Sequence, residues 1–484
     1  MFSNRYRPYL VIILLGLVLY LASAFFDFSY LDDNTLILDN YSIISQASQI
    51  GDFFTNDVFF SSNDFYYRPL LSVSLFFDTI ISGQLPWFFH VTNVLLHILA
   101  ACLLFGLLKK LKSPKPLAFW LALIFLVHPA LVQAVAWIPG RNDSLLAIFI
   151  MAAFIYFLKF LEKPRLADYI ASLLFFSAAL FTKETALVFP VLALFYYLFI
   201  SEKKINIADK WSWIVGATAG ILIWTFFRSL AINGGSGLSI MVSSILANSP
   251  AMIVGLGRFF LPFDLAIMSV LQDANLVFGL LAVIILTSVA ILKKGVSKKY
   301  LAFGLLWYLL FLLPSLINPD PKTSYYFLEH RLYLPFVGLL IIIAQIRFLQ
   351  ELNYRRPVVY GSGLALLILF FTLSAFHLPN FQNRLVFWQS AVSCSPSAPM
   401  PARNLGVMLY FNNRSAEAIA AYRRALELNP EEPMAHNNIG VIYLNQGKLA
   451  EAEAEFKKEL EINPGYDRAI ANLQDLLILK NQLR

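Results

Sequence analysis

The chain has 484 residues, 58% hydrophobic and 14% charged, with a net charge of +7. Soluble domains carry about a quarter charged residues. A mean hydropathy of +0.66, with many apolar runs near the ~20 residues that cross a bilayer, therefore excludes an ordinary soluble enzyme and indicates a polytopic membrane protein. The positive charge is not a nucleic-acid footprint. Lys and Arg sit in short clusters at the ends of apolar runs, where cytoplasmic loops collect them. Cys102 lies inside a run and Cys394 outside one, so no disulfide framework is expected.

The first apolar run, about Tyr9–Phe26, follows Arg5 and Arg7. Ala22-Ser23-Ala24 has the look of a cleavage site. The run is long for a signal peptide and many more follow it, so it reads as a first span with a cytoplasmic N-terminus. Residues 27–86 form a polar-aromatic outer loop. It opens with the paired acids Asp32-Asp33 and closes with an apolar stretch from Tyr66 to Ser82, read as a helix on the membrane surface. Further spans are expected at about Trp87–Leu108, Leu117–Val132, Ser144–Phe160, Asp168–Phe181, Thr185–Ile200 and Trp211–Leu230. Four more are expected at Leu276–Leu292, Tyr300–Leu316, Leu332–Phe348 and Val358–His377. Lys109, Lys110, Lys112, Lys115, Lys159, Lys163, Arg165, Lys203, Lys204, Lys210, Lys293, Lys294, Lys298, Lys299, Arg347, Arg355 and Arg356 mark the inside ends. The seventh span exits at Arg228 and the linker Gly234-Gly235-Ser236-Gly237. Ile240–Phe263 is long enough to cross, but crossing would put the next lysines outside, so it is expected to be re-entrant or interfacial. The count is eleven crossings, with the C-terminus outside.

Composition changes after Leu378. Gly406 recurs as Gly440, Ala418 as Ala452, Tyr422 as Phe456 and Pro430 as Pro464, all at a period of about 34 residues, the tetratricopeptide spacing. Small residues let paired helices approach, the aromatic fills the gap, and Pro ends the unit. Asp467–Leu483 reads as a capping helix. Two repeats and a cap are marginal alone, so the module is expected to lean on the membrane domain. The expected division is a membrane domain over 1–380, a junction over 381–398 and repeats over 399–484.

Several stretches together resemble a known family. They are Asp32-Asp33 with Leu36-Ile37 and Asn40; Tyr67-Arg68-Pro69-Leu70 with Pro86, His90, Asn93 and His97; His128-Pro129, Ala134-Val135-Ala136-Trp137-Ile138, Gly140-Arg141 and Asp143; Lys183-Glu184-Thr185; Glu329-His330-Arg331-Leu332-Tyr333-Leu334-Pro335; Phe387-Trp388; and Asn404-Leu405-Gly406. In this order they resemble the transmembrane and tetratricopeptide-repeat O-mannosyltransferases, with a C-type glycosyltransferase (GT-C) fold. The resemblance implies an all-α protein: a helical membrane domain followed by a helical repeat solenoid. It also implies transfer of a sugar, by default mannose, from a polyprenyl or dolichyl phosphate to an exported protein on the outer face, and it is nearer a bacterial inner-membrane member. Two departures stand out. Gln133 replaces the family's usual acid, and Pro139 replaces a small residue.

Such a reaction needs a base, cations for the departing lipid phosphate and an apolar groove for the isoprenoid. General-base help is worth roughly 10²–10⁴-fold. Asp32 and Asp33 are the candidate catalytic acids, because adjacent desolvated carboxylates raise one another's pKa. In a loop or strand only one of them faces the substrate. Asp-Asp-Asn is also ordinary turn chemistry. Arg331 is the first candidate for phosphate, since a guanidinium binds phosphate oxygens in pairs. Arg228, Arg258, Lys183 and Arg141 come second; each also reads as a snorkelling cation at a span end, and Arg258 more so than the others. His90, His128, Glu184, Glu329, Tyr67, Arg68 and Trp137 are weaker substrate-binding candidates. The outer aromatics also fit an interfacial belt. Metal-ligand spacing is lacking apart from the acids, so no obligatory metal is expected. The competing readings are a non-enzymatic membrane scaffold that recruits partners through its repeats, and the same fold acting on a lipid or polysaccharide.

Overall fold

The computed structural model describes residues 6–60, 66–203, 205–232, 237–292, 295–318 and 325–482. Arg5, Lys204, Lys293, Lys294 and Gly234-Gly235-Ser236, used above as topology markers, lie outside them. The described secondary structure is helical, and the chain forms two compact units. One is Met1–Leu265 with Asn275–Gln382. The other is Ala266–Ala274 with Asn383–Arg484.

In the first unit six helices are long and apolar enough to cross a membrane: Arg7–Phe25, Trp87–Lys110, Ile138–Glu162, Ile207–Ala231, Lys298–Leu316 and Pro357–Phe381. Two bent pairs raise the number to eight, against the eleven expected. The difference is one of length. The apolar helices Leu166–Thr182, Glu184–Ile200 and Leu276–Ile291 have 17 residues or fewer. At 1.5 Å per residue they reach about 25 Å, short of a ~30 Å hydrocarbon core. Tyr333–Ala344 has only 12 residues.

Proline explains the bends, because it lacks an N–H and clashes with the preceding turn. Lys115–Leu126 turns by 56° into Pro129–Ala136, and Leu238–Asn248 turns by 45° into Pro250–Phe260. The second pair is the stretch expected to be re-entrant. Its geometry is that of a re-entrant loop or a broken span.

The cation clusters gather at one end of the helices. Lys110 pairs with Glu162, and Lys112 with Glu202 at 3.0 Å. Glu162 ends the helix Arg141–Glu162, whose first turn carries Asp143. Its 22 residues separate the two ends by about 33 Å. The first outer loop lies at the Asp143 end. It folds on its own core, in which Phe28, Leu36, Ile37, Ile44 and Val58 meet Leu71, Leu75, Phe89 and Ile138. Asn40 Nδ2 donates to Thr35 O and Phe59 O, which pins the loop. The helix Pro69–Ser82 buries Leu71 and Leu75 and exposes Phe77, Ile80 and Ile81. With 14 residues it is too short to span.

The second unit includes the junction from Asn383 onward, where the helix Arg384–Cys394 joins the repeats through Leu385, which packs near Leu409 and Tyr422. The repeat helices are Pro399–Phe411, Ser415–Leu428, Ala435–Asn445 and Leu449–Ile462. A Cβ on Gly406 would lie 2.6 Å from the Tyr422 ring, and one on Gly440 would lie 2.6 Å from the Phe456 ring. The matched small and aromatic positions are therefore packing partners. The helix Asp467–Gln482 covers the second repeat, bringing Leu476 against Ala452 and Phe456.

Candidate active site

The paired acids sit at the start of a helical turn that continues as Asn34–Asp39, not in a strand or open loop. A helical turn separates neighbouring side chains by about 100°, so the two carboxyls still part company. Asp33 turns inward and is 1% exposed. Its Oδ2 accepts from Ser29 N and from Ser29 Oγ at 2.7 Å, and Trp137 Nε1 donates to that Oγ at 3.0 Å. Burial, partly offset by the Ser29 bonds, pushes Asp33 up to about 6. Asp32 is half-buried. Burial raises its carboxyl above the ordinary value, while Arg68 first and Arg331 second pull it back.

Arg68 occupies the turn before Pro69, where the residue ahead of a proline is kept out of the helix. Its guanidinium lies over the Tyr66 ring at 4.4 Å and pairs with Glu184 at 3.3 Å. Burial opposes its charge, but Glu184, Tyr66 and Asp143 outweigh that effect. Lys183 Nζ donates to both oxygens of Asp143, at 2.8 and 3.0 Å. His330 Nε2 stands 3.8 Å from the same carboxylate, and its ring meets Trp137 at 5.1 Å. Arg331 is fixed by donating to Ser315 O and Tyr326 O. Loop, helix-start and hinge residues thus converge as a half-open cluster of Asp32, Arg68, Arg331, Lys183, Asp143, Glu184 and His330.

Other candidates are held elsewhere. Arg141 is fully buried and its donors are used inside the fold. It pairs with Asp78 at 2.5 Å, and it donates to Asn93 Oδ1, Ser74 and Phe89 O. Asn93 in turn donates to Trp137 O and Ile138 O, so Asn93 and Arg141 together tie that backbone to neighbouring helices. Arg258 is buried, donates to Asp264 O and lies 3.8 Å from Glu329, which also meets His377 at 3.1 Å. These two candidates form an internal ion network. Arg228 stacks over Trp224 at 5.8 Å, and Trp224 leans on Tyr67. Tyr67 is buried, its hydroxyl donating to Phe54 O. His128 accepts from Ala130 N through Nδ1, so its Nε2 donates to Phe259 O, and Phe336 and Phe370 enclose the ring. His90 is buried edge-on against Phe26.

Sequence reasoning passed over Ser29, Asp143 and His330 as site residues and marked Gln133 only as a departure from the family's usual acid. Ser29 left no signal. Asp143, His330 and Gln133 lay inside matched motifs, but only tertiary contact gives them partners. A tight fold brings them in: a Cβ on Gly140 would lie 2.8 Å from the Ala134 Cα and the Gln133 carbonyl, so the chain can double back there.

Residues 71–228 match the family model described as dolichyl-phosphate-mannose-protein mannosyltransferase, and residues 404–467 match a tetratricopeptide repeat. Protein O-mannosyl-transferase TMTC1 of Mus musculus is 33% identical over 149 residues, 28% of this chain and 16% of that protein. The chain is a distant homologue of the TMTC O-mannosyltransferases. The Homo sapiens TMTC1 is 29% identical over 189 residues, and Drosophila melanogaster Tmtc1 is 28% identical over 227 residues, 46% of this chain and 26% of that protein. The matches span about a quarter or less of the relatives' length. The mannosyltransferase match includes Gln133, Trp137, Asp143, Lys183 and Glu184 but stops short of Asp32, Arg68 and Arg331.

Proposed function

We propose that this integral membrane protein transfers mannose from a polyprenyl phosphate, dolichyl phosphate in the family's description, to Ser or Thr hydroxyls of exported proteins. The observation that carries the reading is one half-buried carboxylate, Asp32, within the electrostatic reach of two guanidiniums, Arg68 and Arg331. In the step itself, the acceptor oxygen attacks the anomeric carbon while its proton passes to Asp32. The bond from that carbon to the phosphate oxygen breaks on the opposite face, so configuration inverts. The electron pair leaves with the lipid phosphate, whose charge Arg331 and Arg68 stabilise; such positioned donors are worth most in a partly dehydrated site. Glu184 and the Lys183–Asp143 pair orient Arg68, and Asp33 anchors the loop through Ser29. Arg141, Arg258 and Glu329 hold the scaffold. Taking the lysine ends as the cytoplasmic side, we read the site as facing outward and the repeats as presenting the acceptor protein.

The test is transfer by purified protein from radiolabelled polyprenyl phosphate mannose to an exported protein, with and without EDTA. Labelled protein formed at equal rates in both conditions is expected. No transfer to protein, lipid or polysaccharide from any lipid-linked sugar would refute the enzyme reading and favour a scaffold. Label on lipid or polysaccharide alone would refute the protein acceptor.

A further inference from the structure

We propose that Gln133 and His330 form a hydroxyl reader, in which Gln133 fixes the His330 ring so that a bare Nε2 accepts a hydrogen bond from a hydroxyl of the donor sugar. The proposal rests on the mannosyl-transfer reading above for the identity of the sugar, but its geometry stands apart from it.

Gln133 is 1% exposed, on the short helix Val132–Ala136. Its side chain reaches His330, 197 residues away in sequence. The His330 backbone N–H donates to Gln133 Oε1 at 3.0 Å. A backbone N–H has no other role, so the atom it meets is the amide oxygen. That same oxygen lies 3.2 Å from His330 Nδ1. An amide oxygen only accepts, so Nδ1 carries a proton. A neutral imidazole has one N–H, and its position is set by the partner of the other nitrogen. Nε2 is therefore a lone pair.

The surroundings keep the ring neutral. Lys183 after its helix, Arg68 before Pro69 and Arg331 next in the chain all oppose a positive ring, and burial opposes it most. Among the described residues the carboxylate near Nε2 is Asp143, at 3.8 Å, and Lys183 already holds both of its oxygens. Trp137 covers one side of the ring. The His330 side chain keeps about 10% of its surface open.

This arrangement selects its ligand. Ionised phosphate oxygens only accept, so they have nothing to offer a bare nitrogen. A hydroxyl donates. In a site whose other groups are cations and carboxylates, a neutral acceptor distinguishes the sugar from the phosphate of the same donor molecule. Gln133 is then a positioning residue, and a carboxylate in its place would draw a second proton onto the ring and abolish the acceptor.

The test has two arms. In the first, full-length protein labelled with 15N-histidine is studied by NMR at pH 7. The chain has six histidines, and the His330 signals are assigned by their loss in His330→Leu. Protonated Nδ1 and bare Nε2 are expected. Polyprenyl phosphate mannose should shift the Nε2 resonance, and polyprenyl phosphate should not. In the second arm, His330→Leu should raise the donor KM about tenfold, the scale of one lost hydrogen bond. His330→Gln should recover most of that loss, because its amide oxygen takes the Nε2 position. Gln133→Glu should raise donor KM at neutral pH and regain it as pH rises and the ring loses its second proton. A protonated Nε2, a shift caused equally by the sugar-free lipid, or a rise in acceptor KM in place of donor KM would overturn the inference. The NMR arm needs no turnover, so a protein that shows the expected ring and sugar-specific shift yet transfers nothing would count against the transferase reading alone.

Discussion

Replacing Asp32 by Asn separates the two acids most sharply. Asn keeps the shape and removes the proton acceptor. General-base catalysis of 10²–10⁴-fold corresponds to about 2.7–5.5 kcal/mol of barrier at 1.36 kcal/mol per tenfold. Because the charges of Asp32, Arg68 and Arg331 interact, removing the carboxylate leaves both guanidiniums with more attraction for the donor phosphate. Thus kcat should fall about 10²–10⁴-fold while donor KM stays level or drops. Asp33→Asn should cost less than about tenfold in kcat, since its amide oxygen can still accept from Ser29 N and Oγ. On the proposed mechanism, transfer by the wild type requires ionised Asp32. Burial raises that carboxyl above 3.8, so activity should fall with decreasing pH before an ordinary carboxylate would titrate. The assay is initial-rate transfer of radiolabelled mannose over pH 4–8 in nanodiscs. If Asp32→Asn keeps kcat within about threefold, less than 1 kcal/mol, or if Asp33→Asn loses as much as Asp32→Asn, the assignment of Asp32 as base is wrong.

Two further outcomes follow from the same contacts. Asp33 moves from 3.8 unfolded to about 6 folded, so the folded state holds its proton more tightly. Its stabilising contribution is full below pH 3.8 and is lost as pH rises through about 6, an effect of about 3 kcal/mol at 1.36 per pH unit. Thermal midpoints of wild type should therefore gain on those of Asp33→Asn as pH falls from 7 to 4, and parallel curves would contradict the burial argument. Arg141→Met strands Asp78 without its cation and should destabilise the protein by about 3–5 kcal/mol. Adding Asp78→Asn should restore most of the thermal midpoint. The folded enzyme should keep its donor KM, and a tenfold rise in it would return Arg141 to the phosphate site.

Local chemistry determined much of this protein from the sequence alone. Hydropathy placed it in the membrane, and the lysine clusters marked one end of its helices. The 34-residue period matched Gly406 with Gly440 and Tyr422 with Phe456, and in the structure each glycine packs so close to its repeat's ring that an added Cβ would lie 2.6 Å from it. The acid pair was legible as well, being unusual at a span exit. Span number was not, because an apolar run does not reveal where Pro129 and Pro250 break a helix or whether its helical part reaches about 30 Å. Cation roles were not legible either. Arg141 and Arg68 look alike at span ends, yet one is spent on Asp78, Asn93 and Phe89 and the other pairs with Glu184 and acts electrostatically on Asp32. The same holds for Gln133, whose meaning lies in a bond to His330 far along the chain. Periodicity records what each segment does with its nearest neighbours and its solvent. The partner of a buried charge or amide is chosen only when distant segments meet, and at this site that choice separates scaffold from chemistry.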